Sequence, residues 1–514
     1  MIRLLRKHHR WFGLILLVFL ILFSISGIIL NHRKTFSAYS ISRNYLPSNY
    51  AYQDWNFAAV RSTEKISNDS MLIYGNIGIW LTDSAFGDFT EFHTGFPKGV
   101  DNHKISKVLK INNKNIAAGS IFGLHIYNTD FKKWQKIELP NQEENVVDML
   151  LREDTLLVLT RSNLFKSTDY KIFEKVSLPP PAGYNDKIGL FKTFWVLHSG
   201  ELYGLTGRLI VDLIGIIMIF LSVTGFIIYI NKNTLKKKKT PKVRRTKLKR
   251  QYLWNLKWHN KLGWTTAILL IITTLSGIFL RPPLLIPIAE SKVNKIPFSL
   301  LDTPNPWFDQ LRRIIYIEDE DRYIISTAET FYYSDDNLLS IKAFDKQPPF
   351  SVMGVTVLEK KAANTLWVGS FNGLFSWNYH TDEIYDLIDE KPWVRPTRKS
   401  HPVGSHKIVG YTEHVGNHPF IFDYETGSFS KFNQDEFAVM PEIIIQKNPM
   451  PLWNLAQEIH TGRIFQFMMG DFYILIVPLT GLFTIYLIVS GFIIWYKKYR
   501  TKKSVRSHTK ELEL

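Results

Sequence analysis

The chain alternates between long apolar segments and segments with the mixed polarity of soluble proteins. The apolar runs are residues 12–30, about 209–230, 264–289 and about 472–496. Each run can cross a bilayer, which takes about 20 residues of α-helix. We therefore predict four transmembrane helices, TM1 to TM4. They are placed within residues 1–30, 192–230, 258–289 and 456–496.

The two long segments between these helices, residues 31–191 and 290–455, predict β-structure. Both contain short β-type runs, such as Leu72–Tyr74 and Thr365–Val368, bounded by Gly, Asn and Asp. Units of roughly 40 residues recur three times in each segment, and that period with four short strands is typical of β-propeller blades.

Three blades alone would expose open sheet edges, whereas three plus three can close a ring. We therefore predict one six-bladed β-propeller, with blades 1–3 from the first segment and blades 4–6 from the second. The alternative is two independent α+β or sandwich domains. In the propeller, Trp80, Trp134 and Trp377 would be packing residues of the blades.

The second half of the chain repeats the first. The spacing from His9 to the glycine of Ser26-Gly27 equals the spacing from His259 to the glycine of Ser276-Gly277, and the two copies have an offset of 250. Other repeated motifs are Gly119-Ser120 with Gly369-Ser370, His198-Ser-Gly200 with His460-Thr-Gly462, and Thr224-Gly225 with Ser490-Gly491. The sequence thus predicts a 2+2 helical bundle with an internal two-fold relationship.

Charge predicts the orientation of these helices. The N-terminal turn, the segment 231–257 and the tail 497–514 hold 23 basic and 2 acidic residues, which accounts for the formal net charge of +17. Basic residues flank transmembrane helices on the cytoplasmic side, so both termini and 231–257 are predicted to be cytoplasmic and the β segments extracytoplasmic. The charge is therefore a topology signal and predicts contact with lipid, not with nucleic acid.

Two compositional features limit the remaining possibilities. Residues 24–26 resemble a signal-peptide cleavage site, but we expect TM1 to be retained because its repeat partner lies in mid-chain. The chain has no cysteine, which excludes disulfides, thiolate-held iron–sulfur clusters and covalently attached c-type haem.

Histidines are the candidate ligands. The topology places His9 and His259 on the inner side and His198 and His460 on the outer side, one per transmembrane helix. Imidazole is the commonest metal ligand, and two opposed imidazoles suit a six-coordinate b-type haem iron. Nearby glycines would let a porphyrin approach the backbone. These are Gly13, Gly200, Gly263 and Gly462.

Three points leave alternatives open. His8 and His32 could replace a member of a pair, and any of these histidines could be an interfacial polar residue. Arg208 and Asp212, four apart on one helix, are expected to pair. A count of about 32 residues from His198 to the inner end of TM2 places the two histidine layers about 48 Å apart, too far for direct electron transfer without close porphyrin edges or an intervening aromatic ring. Either the outer histidines lie at the rim of the external domain, or only one layer binds haem.

Two motifs resemble those of the PepSY-associated transmembrane helix family. They are His-x-Trp-x-Gly at His9 to Gly13, and Leu-His-Ser-Gly-x-x-Tyr-Gly-Leu-x-Gly-Arg from Leu197 to Arg208. The family includes iron-regulated inner-membrane proteins and siderophore-iron reductases of Gram-negative bacteria. The resemblance implies b-type haem held by His9, His198, His259 and His460, and reduction of ferric siderophores in the periplasm. The loops depart from the family pattern, since propeller-like repeats replace a PepSY module.

The function expected from the sequence is an inner-membrane protein with one or two b-type haems that moves electrons to ferric iron in a chelate outside. Electrons would arrive from quinol or a separate cytoplasmic reductase, because no dinucleotide fingerprint follows a strand and the inner loop is too short for a flavin domain. No catalytic residue is identified. The rival is a non-enzymatic sensor or scaffold whose propeller binds a ligand or partner; a transporter is a weaker third possibility.

Overall fold

The chain folds as two compact units. The computed structural model describes residues 2–237, 241–351, 353–394, 404–415, 418–430 and 436–511. A helical unit comprises Met1–Phe36, Asp186–Asp302 and Leu452–Leu514, and a β unit comprises Ser37–Asn185 and Thr303–Pro451.

The helices follow the apolar runs, because in lipid a helix satisfies every backbone polar group within itself. In chain order they are α1 (Ile2–Asn31), α2 (Arg33–Phe36), α3 (Leu190–Ser199), α4 (Gly204–Leu235), α5 (Lys242–Thr265), α6 (Ala267–Ile278), α7 (Glu442–Lys447), α8 (Leu452–His460), α9 (Gln466–Met469) and α10 (Ile476–Glu511).

Three segments in the described part of the chain are long and apolar enough to span a membrane, and a fourth arises if α5 and α6 form one bent span. The three are Ile2–Asn31, Glu201–Leu235 and Arg463–Lys498. Helices α5 and α6 meet at 64°. The Thr265 and Thr266 hydroxyls at this break donate to backbone carbonyls one turn earlier, a contact that bends helices.

These helices form a bundle. Helix α1 packs against α4, α8 and α10, while α4 packs against α5 and α10 packs against α5 and α6. Leu16 and Leu20 of α1 meet Leu487 of α10, and Ile214 of α4 meets Leu270 of α6. Two of the short helices, α3 and α8, end immediately before the chain enters the spans of α4 and α10.

The strands before α3 are short and bounded by turns, as the short β-type runs between Gly, Asn and Asp predict. They are β1 (Ser40–Ile41), β2 (Ser62–Lys65), β3 (Ser70–Gly75), β4 (Gly78–Asp83), β5 (Phe89–Glu91), β6 (Ile105–Lys110), β7 (Asn115–Ser120), β8 (Gly123–Asn128), β9 (Lys133–Ile137), β10 (Val146–Arg152), β11 (Thr155–Thr160), β12 (Leu164–Ser167), β13 (Glu174–Val176) and β14 (Lys187–Gly189).

The strands after α6 repeat this arrangement. They are β15 (Lys292–Asn294), β16 (Leu311–Ile317), β17 (Arg322–Thr327), β18 (Phe331–Ser334), β19 (Lys342–Ala343), β20 (Val357–Ala362), β21 (Thr365–Ser370), β22 (Gly373–Asn378), β23 (Glu383–Asp386), β24 (Lys391–Pro392), β25 (Ile408–Thr412), β26 (Phe420–Asp423), β27 (Gly427–Phe429) and β28 (Met450–Pro451).

Most of these strands form six antiparallel sheets, which we call blades 1 to 6. In order they are β2–β5, β6–β9, β10–β13, β16–β19, β20–β24 and β25–β27, and β1–β28 and β14–β15 are separate two-stranded pairs. The first strands of successive blades contact one another in order, and β25 of blade 6 contacts β2 of blade 1. The ring is therefore closed, and the prediction of one six-bladed propeller built from both loops is confirmed.

Backbone contacts hold the first and last blades together. The Tyr411 N–H donates to the Arg61 carbonyl at 3.0 Å, between β25 and the start of blade 1. Residues just before blade 1 extend along blade 6, where the Phe57 N–H donates to Tyr424 O and the Ser428 N–H to Asp54 O, both at 2.8 Å. Blade 6 thus gains backbone hydrogen bonds from residues at the start of the β unit.

The repeated Gly-Ser motif marks a close approach between neighbouring blades. A Cβ on Gly119 would lie 2.5 Å from Val146 of blade 3, and one on Gly369 would lie 3.1 Å from Ile408 of blade 6. The Ser106 hydroxyl donates to the carbonyls of Gly119 and Val146, and Thr356 makes the equivalent contacts in the second half of the chain. Glycine is needed here because the next blade occupies the space of a side chain.

The three tryptophans pack between blades, as predicted. Trp80, Trp134 and Trp377 are at most 2% exposed. Trp80 lies against residues of blade 6, Trp134 against blade 1 and Trp377 against blade 4. Truncating a buried tryptophan to alanine costs about 3–5 kcal/mol, so these contacts are a large part of blade-to-blade cohesion.

A buried histidine makes the propeller sensitive to acid. His125 is 2% exposed and stacks on Phe96 with ring centroids 4.1 Å apart. Burial, with a smaller contribution from the Lys136 charge, lowers the pKa of His125 to about 4. Burial also lowers the pKa of His103 to about 4. Since an unfolded histidine titrates near about 6.5, the unfolded chain binds more protons as the pH falls from about 6.5 to about 4, and the free energy of unfolding decreases.

We predict that His125→Phe reduces this acid sensitivity, because phenylalanine keeps the stacking and has no proton to gain. The difference between the variant and the wild type should grow by about 1–2 kcal/mol from pH 7.5 to pH 5. Thermal unfolding followed by tryptophan fluorescence measures it, with the exposed His418→Gln as control. An equal loss of stability between pH 7.5 and pH 5 in the wild type, His125→Phe and His418→Gln would contradict the assignment of the acid sensitivity to His125.

Candidate functional site

The two outer histidines face each other. His198 lies in the last turn of α3 and His460 at the end of α8. Their Nε2 atoms are 3.5 Å apart and their ring centroids 5.8 Å apart. Both helices end at a glycine with positive φ, Gly200 at 78° and Gly462 at 74°. That conformation is accessible to glycine at little cost, and it turns the chain into the following span.

The two inner histidines also form a pair. His9 of α1 and His259 of α5 have ring centroids 6.3 Å apart, with ring planes nearly perpendicular at 87°. The structure therefore brings together both histidine pairs that the duplication predicts. Each member comes from a different part of the repeated chain.

Every one of these imidazoles uses Nδ1 to contact a neighbouring helix. His9, His259 and His460 have Nδ1 3.0 Å from the hydroxyl oxygens of Ser490, Thr224 and Ser26. His198 has Nδ1 2.8 Å from the Thr273 carbonyl. The four contacts join α1 to α10, α5 to α4, α8 to α1 and α3 to α6.

These contacts determine the tautomer of each ring. Ser26, Thr224 and Ser490 donate their own hydroxyl protons to backbone carbonyls of their helices. Toward the imidazole, each hydroxyl oxygen can therefore only accept a hydrogen bond, as the Thr273 carbonyl must. We infer that each Nδ1 carries a proton, which leaves each Nε2 with a free lone pair, the state in which histidine binds metals. In the outer pair the two Nε2 atoms face each other.

A glycine beside each ring provides the space. A Cβ would lie 2.6 Å from the His198 ring at Gly277, 3.1 Å from His9 at Gly491, 3.2 Å from His460 at Gly27 and 3.4 Å from His259 at Gly225. These are the glycines of the four Ser/Thr-Gly dipeptides. The glycines named from the sequence lie elsewhere: Gly13 has nothing within 4 Å, and Gly200 packs against Gly207.

The separation of the two layers is much shorter than residue counting indicated. His9 and Ser26, which mark the inner and outer layers, both lie on the unbroken helix α1. At about 1.5 Å per residue, the part of the helix between them is about 26 Å long, not about 48 Å. The count along TM2 was wrong because α3 is a separate helix, divided from α4 by a turn at residues 200–203.

Neither alternative histidine belongs to a pair. His8 has Nδ1 3.1 Å from the Tyr486 hydroxyl. His32 has Nε2 2.5 Å from an Asp212 carboxylate oxygen. The expected partner of Asp212 was Arg208, whose Nη1 instead lies 3.5 Å from the Asn31 carbonyl.

Among the described residues, no group of three or more histidine, aspartate or glutamate side chains could hold a metal ion. Each imidazole pair could supply two ligands to a metal. Such a site suits a metal whose remaining ligands come with it, as the four porphyrin nitrogens do in haem.

The glycine contacts lead to a test. We predict that Gly277→Ala lowers the melting temperature of the purified protein, because the new methyl group would overlap the His198 ring and overpacking costs about 1–3 kcal/mol. Gly13→Ala is the matched control, since it adds a methyl group to a helix where the space is open. It should be neutral or stabilising. Equal melting temperatures for both variants would contradict the contact.

Comparison with known proteins identifies the helical scaffold. Residues 6–498 match the PepSY-associated TM region, and no curated protein matches the chain. Three solved structures show weak likeness. The extracellular domain of BT4673 from B. thetaiotaomicron is 10% identical, with a TM-score of 0.36 over 74% of this chain and 39% of that one. A structural genomics protein of unknown function from Bacteroides thetaiotaomicron VPI-5482 is 8% identical, with a TM-score of 0.35 over 76% of this chain and 74% of that one. The N-terminal domain of Nup159 is 10% identical, with a TM-score of 0.29 over 70% of this chain and 72% of that one.

The three TM-scores lie below 0.5, so the propeller assignment rests on the strand topology of this chain. The family match covers every candidate membrane span among the described residues and both loops, and it confirms the resemblance found in the histidine motifs. The chain is a multi-pass membrane protein that belongs to the PepSY-associated TM region family.

Proposed function

We propose that this protein binds a haem b at each histidine pair and conducts electrons across the bacterial inner membrane to an acceptor outside, ferric iron in a siderophore-type chelate. The axial ligands would be His198 with His460 and His9 with His259. The observation that carries the proposal is that all four imidazoles are anchored through Nδ1 and lie in pairs, with the two Nε2 atoms of the outer pair 3.5 Å apart.

The outer pair fits an iron placed between its rings. Two metal–nitrogen bonds of about 2.0–2.1 Å in line would separate the Nε2 atoms by about 4 Å. The observed 3.5 Å requires an opening of about half an ångström. Haem, when bound, would supply one-electron redox chemistry. The protein residues would supply axial ligation, orientation through the Nδ1 contacts and an apolar surround.

The spacing of the two layers also supports the proposal. A separation of about 26 Å between histidine layers allows the edges of two wide porphyrins to approach much more closely than the layers themselves. Phe23 lies beside the outer site, with its ring centroid 5.9 Å from that of His460. The basic segments that flank the spans support a direction of transfer toward the periplasm, with reducing equivalents from quinol or a cytoplasmic reductase.

A second candidate function is ligand binding by the propeller without redox chemistry. It is favoured by a recess in the β unit where Trp80, His93, His103, Glu91 and Lys447 meet. The His93 and His103 rings contact each other there, with centroids 4.1 Å apart and planes tilted by 34°, and Lys447 pairs with Glu91 at 3.1 Å. A sensor or scaffold would use this recess and need no haem.

Spectroscopy separates the two functions. In protein purified from haem-replete cells, we expect a reduced-minus-oxidised spectrum of six-coordinate b-type haem at two haems per chain. His198→Ala combined with His460→Ala, or His9→Ala combined with His259→Ala, should remove one haem and leave the other. His8→Ala is the matched control and should retain both. Wild-type protein without haem would refute the proposal and favour the sensor or scaffold.

A further inference from the structure

A second polar cluster lies at the end of α1, apart from the histidine pairs. Asp212 of α4 is 8% exposed, with one carboxylate oxygen 2.5 Å from His32 Nε2. The other oxygen accepts from Asn31 Nδ2 at 3.0 Å. An ionisable pair inside a membrane span is costly and is retained where it serves a function.

This cluster is fixed to the outer histidine site. Asn31 Nδ2 also lies 3.1 Å from the carbonyl of Ser199, the residue that follows His198. Arg208 approaches the Asn31 carbonyl from one turn earlier on α4. Asp212 is thus linked through one amide group to the helix that carries an outer histidine.

The fold does not require this cluster, as the duplicated half shows. At the offset of 250 that relates Ser26 to Ser276, His32 corresponds to Pro282. At the offset of 266 that relates Thr224 to Ser490, Asp212 corresponds to Pro478. The second half forms the corresponding membrane segments, although with different helix breaks, and has prolines, which cannot titrate, at these two positions. The His32–Asp212 pair is therefore present in one half only.

The geometry is that of a proton acceptor. A carboxylate bonded to one imidazole nitrogen fixes the tautomer with its proton there, leaves the other nitrogen as the acceptor, and stabilises the imidazolium that forms. In this pair Asp212 holds Nε2, and Nδ1 is the acceptor. The His32 side chain is 24% exposed, at the outer end of a span where a lipid-soluble molecule can reach it.

We propose that His32 and Asp212 form a quinol-oxidation site that delivers electrons to the outer histidine layer. A quinol is a lipid-soluble donor whose oxidation releases protons as well as electrons. Two O–H bonds break, two protons leave in turn through His32 Nδ1 to the outer side, and the two electrons are accepted by the two haems, one each. The site rests on the proposed function for its electron acceptor. It selects quinol over a cytoplasmic reductase as the donor, so electrons would pass from the membrane to the outside through the outer layer and would not start from the cytoplasmic side.

The first experiment measures binding without redox turnover. Decylubiquinone is titrated into the purified full-length protein by calorimetry, in wild type, Asp212→Asn and His32→Gln. We expect the wild type to bind and both variants to bind at least tenfold more weakly. His8→Gln, at the other end of α1, is the matched control and should bind like the wild type. Equal affinity in all four proteins would overturn the site, whether or not haem is present.

The second experiment measures electron delivery. Haem absorbance is followed after mixing with decylubiquinol or with dithionite, which needs no proton acceptor. Loss of a positioned general base typically costs about 10²–10⁴-fold, so quinol should reduce both variants at least 100-fold more slowly than the wild type, with dithionite rates unchanged. Haem-loaded wild type that dithionite reduces and quinol does not would overturn this site and leave the proposed function standing. If the ion pair has only a structural role, its loss would instead slow reduction by both quinol and dithionite because haem is lost, or it would slow neither reaction.

Discussion

The helical unit depends on the hydrogen bond from each imidazole Nδ1 to the neighbouring helix. A polar ring inside a membrane span needs a partner, since an unsatisfied polar group in an apolar medium is expensive. Here a hydroxyl or carbonyl of another helix supplies it, and an adjacent glycine lets the ring lie against the backbone. Four such contacts connect helices that have no hydrophobic driving force to associate within lipid. The same contacts leave the second nitrogen of each ring free and, in the outer pair, facing its partner, so bundle assembly and ring orientation have one cause.

Much of this arrangement could be predicted from the repeats in the sequence. The features that could not be predicted depend on where the helices break. The pairing of His198 with His460 followed from the duplication alone. The layer spacing did not, because a residue count treats the segment from His198 into TM2 as one helix, whereas Gly200 turns the chain. The partner of Asp212 was missed for a similar reason: spacing along one helix indicated Arg208, but His32, in the turn just after α1, was closer. The four ring-contacting glycines could have been found, since each follows a serine or threonine in every span.

The β unit shows how a weak sequence signal can still define a fold. The recurring period of the blades was visible, although only one motif repeated clearly between the halves. That motif, Gly119-Ser120 and Gly369-Ser370, marks the positions where a neighbouring blade leaves no room for a side chain. Closure came from contacts that periodicity cannot predict, between residues 54–61 at the start of the β unit and the strands of blade 6 near its end.

Ring closure between distant residues also imposes an order on biosynthesis. Blades 1–3 are complete about 250 residues before their counterparts leave the ribosome, which at about 5–20 residues per second is a delay of about 12–50 s. During that time blades 1 and 3 have no neighbour on one side, and apolar surface that later meets blades 4 and 6 is uncovered. The half-ring must then be soluble by itself or be held by a chaperone in the compartment that receives it.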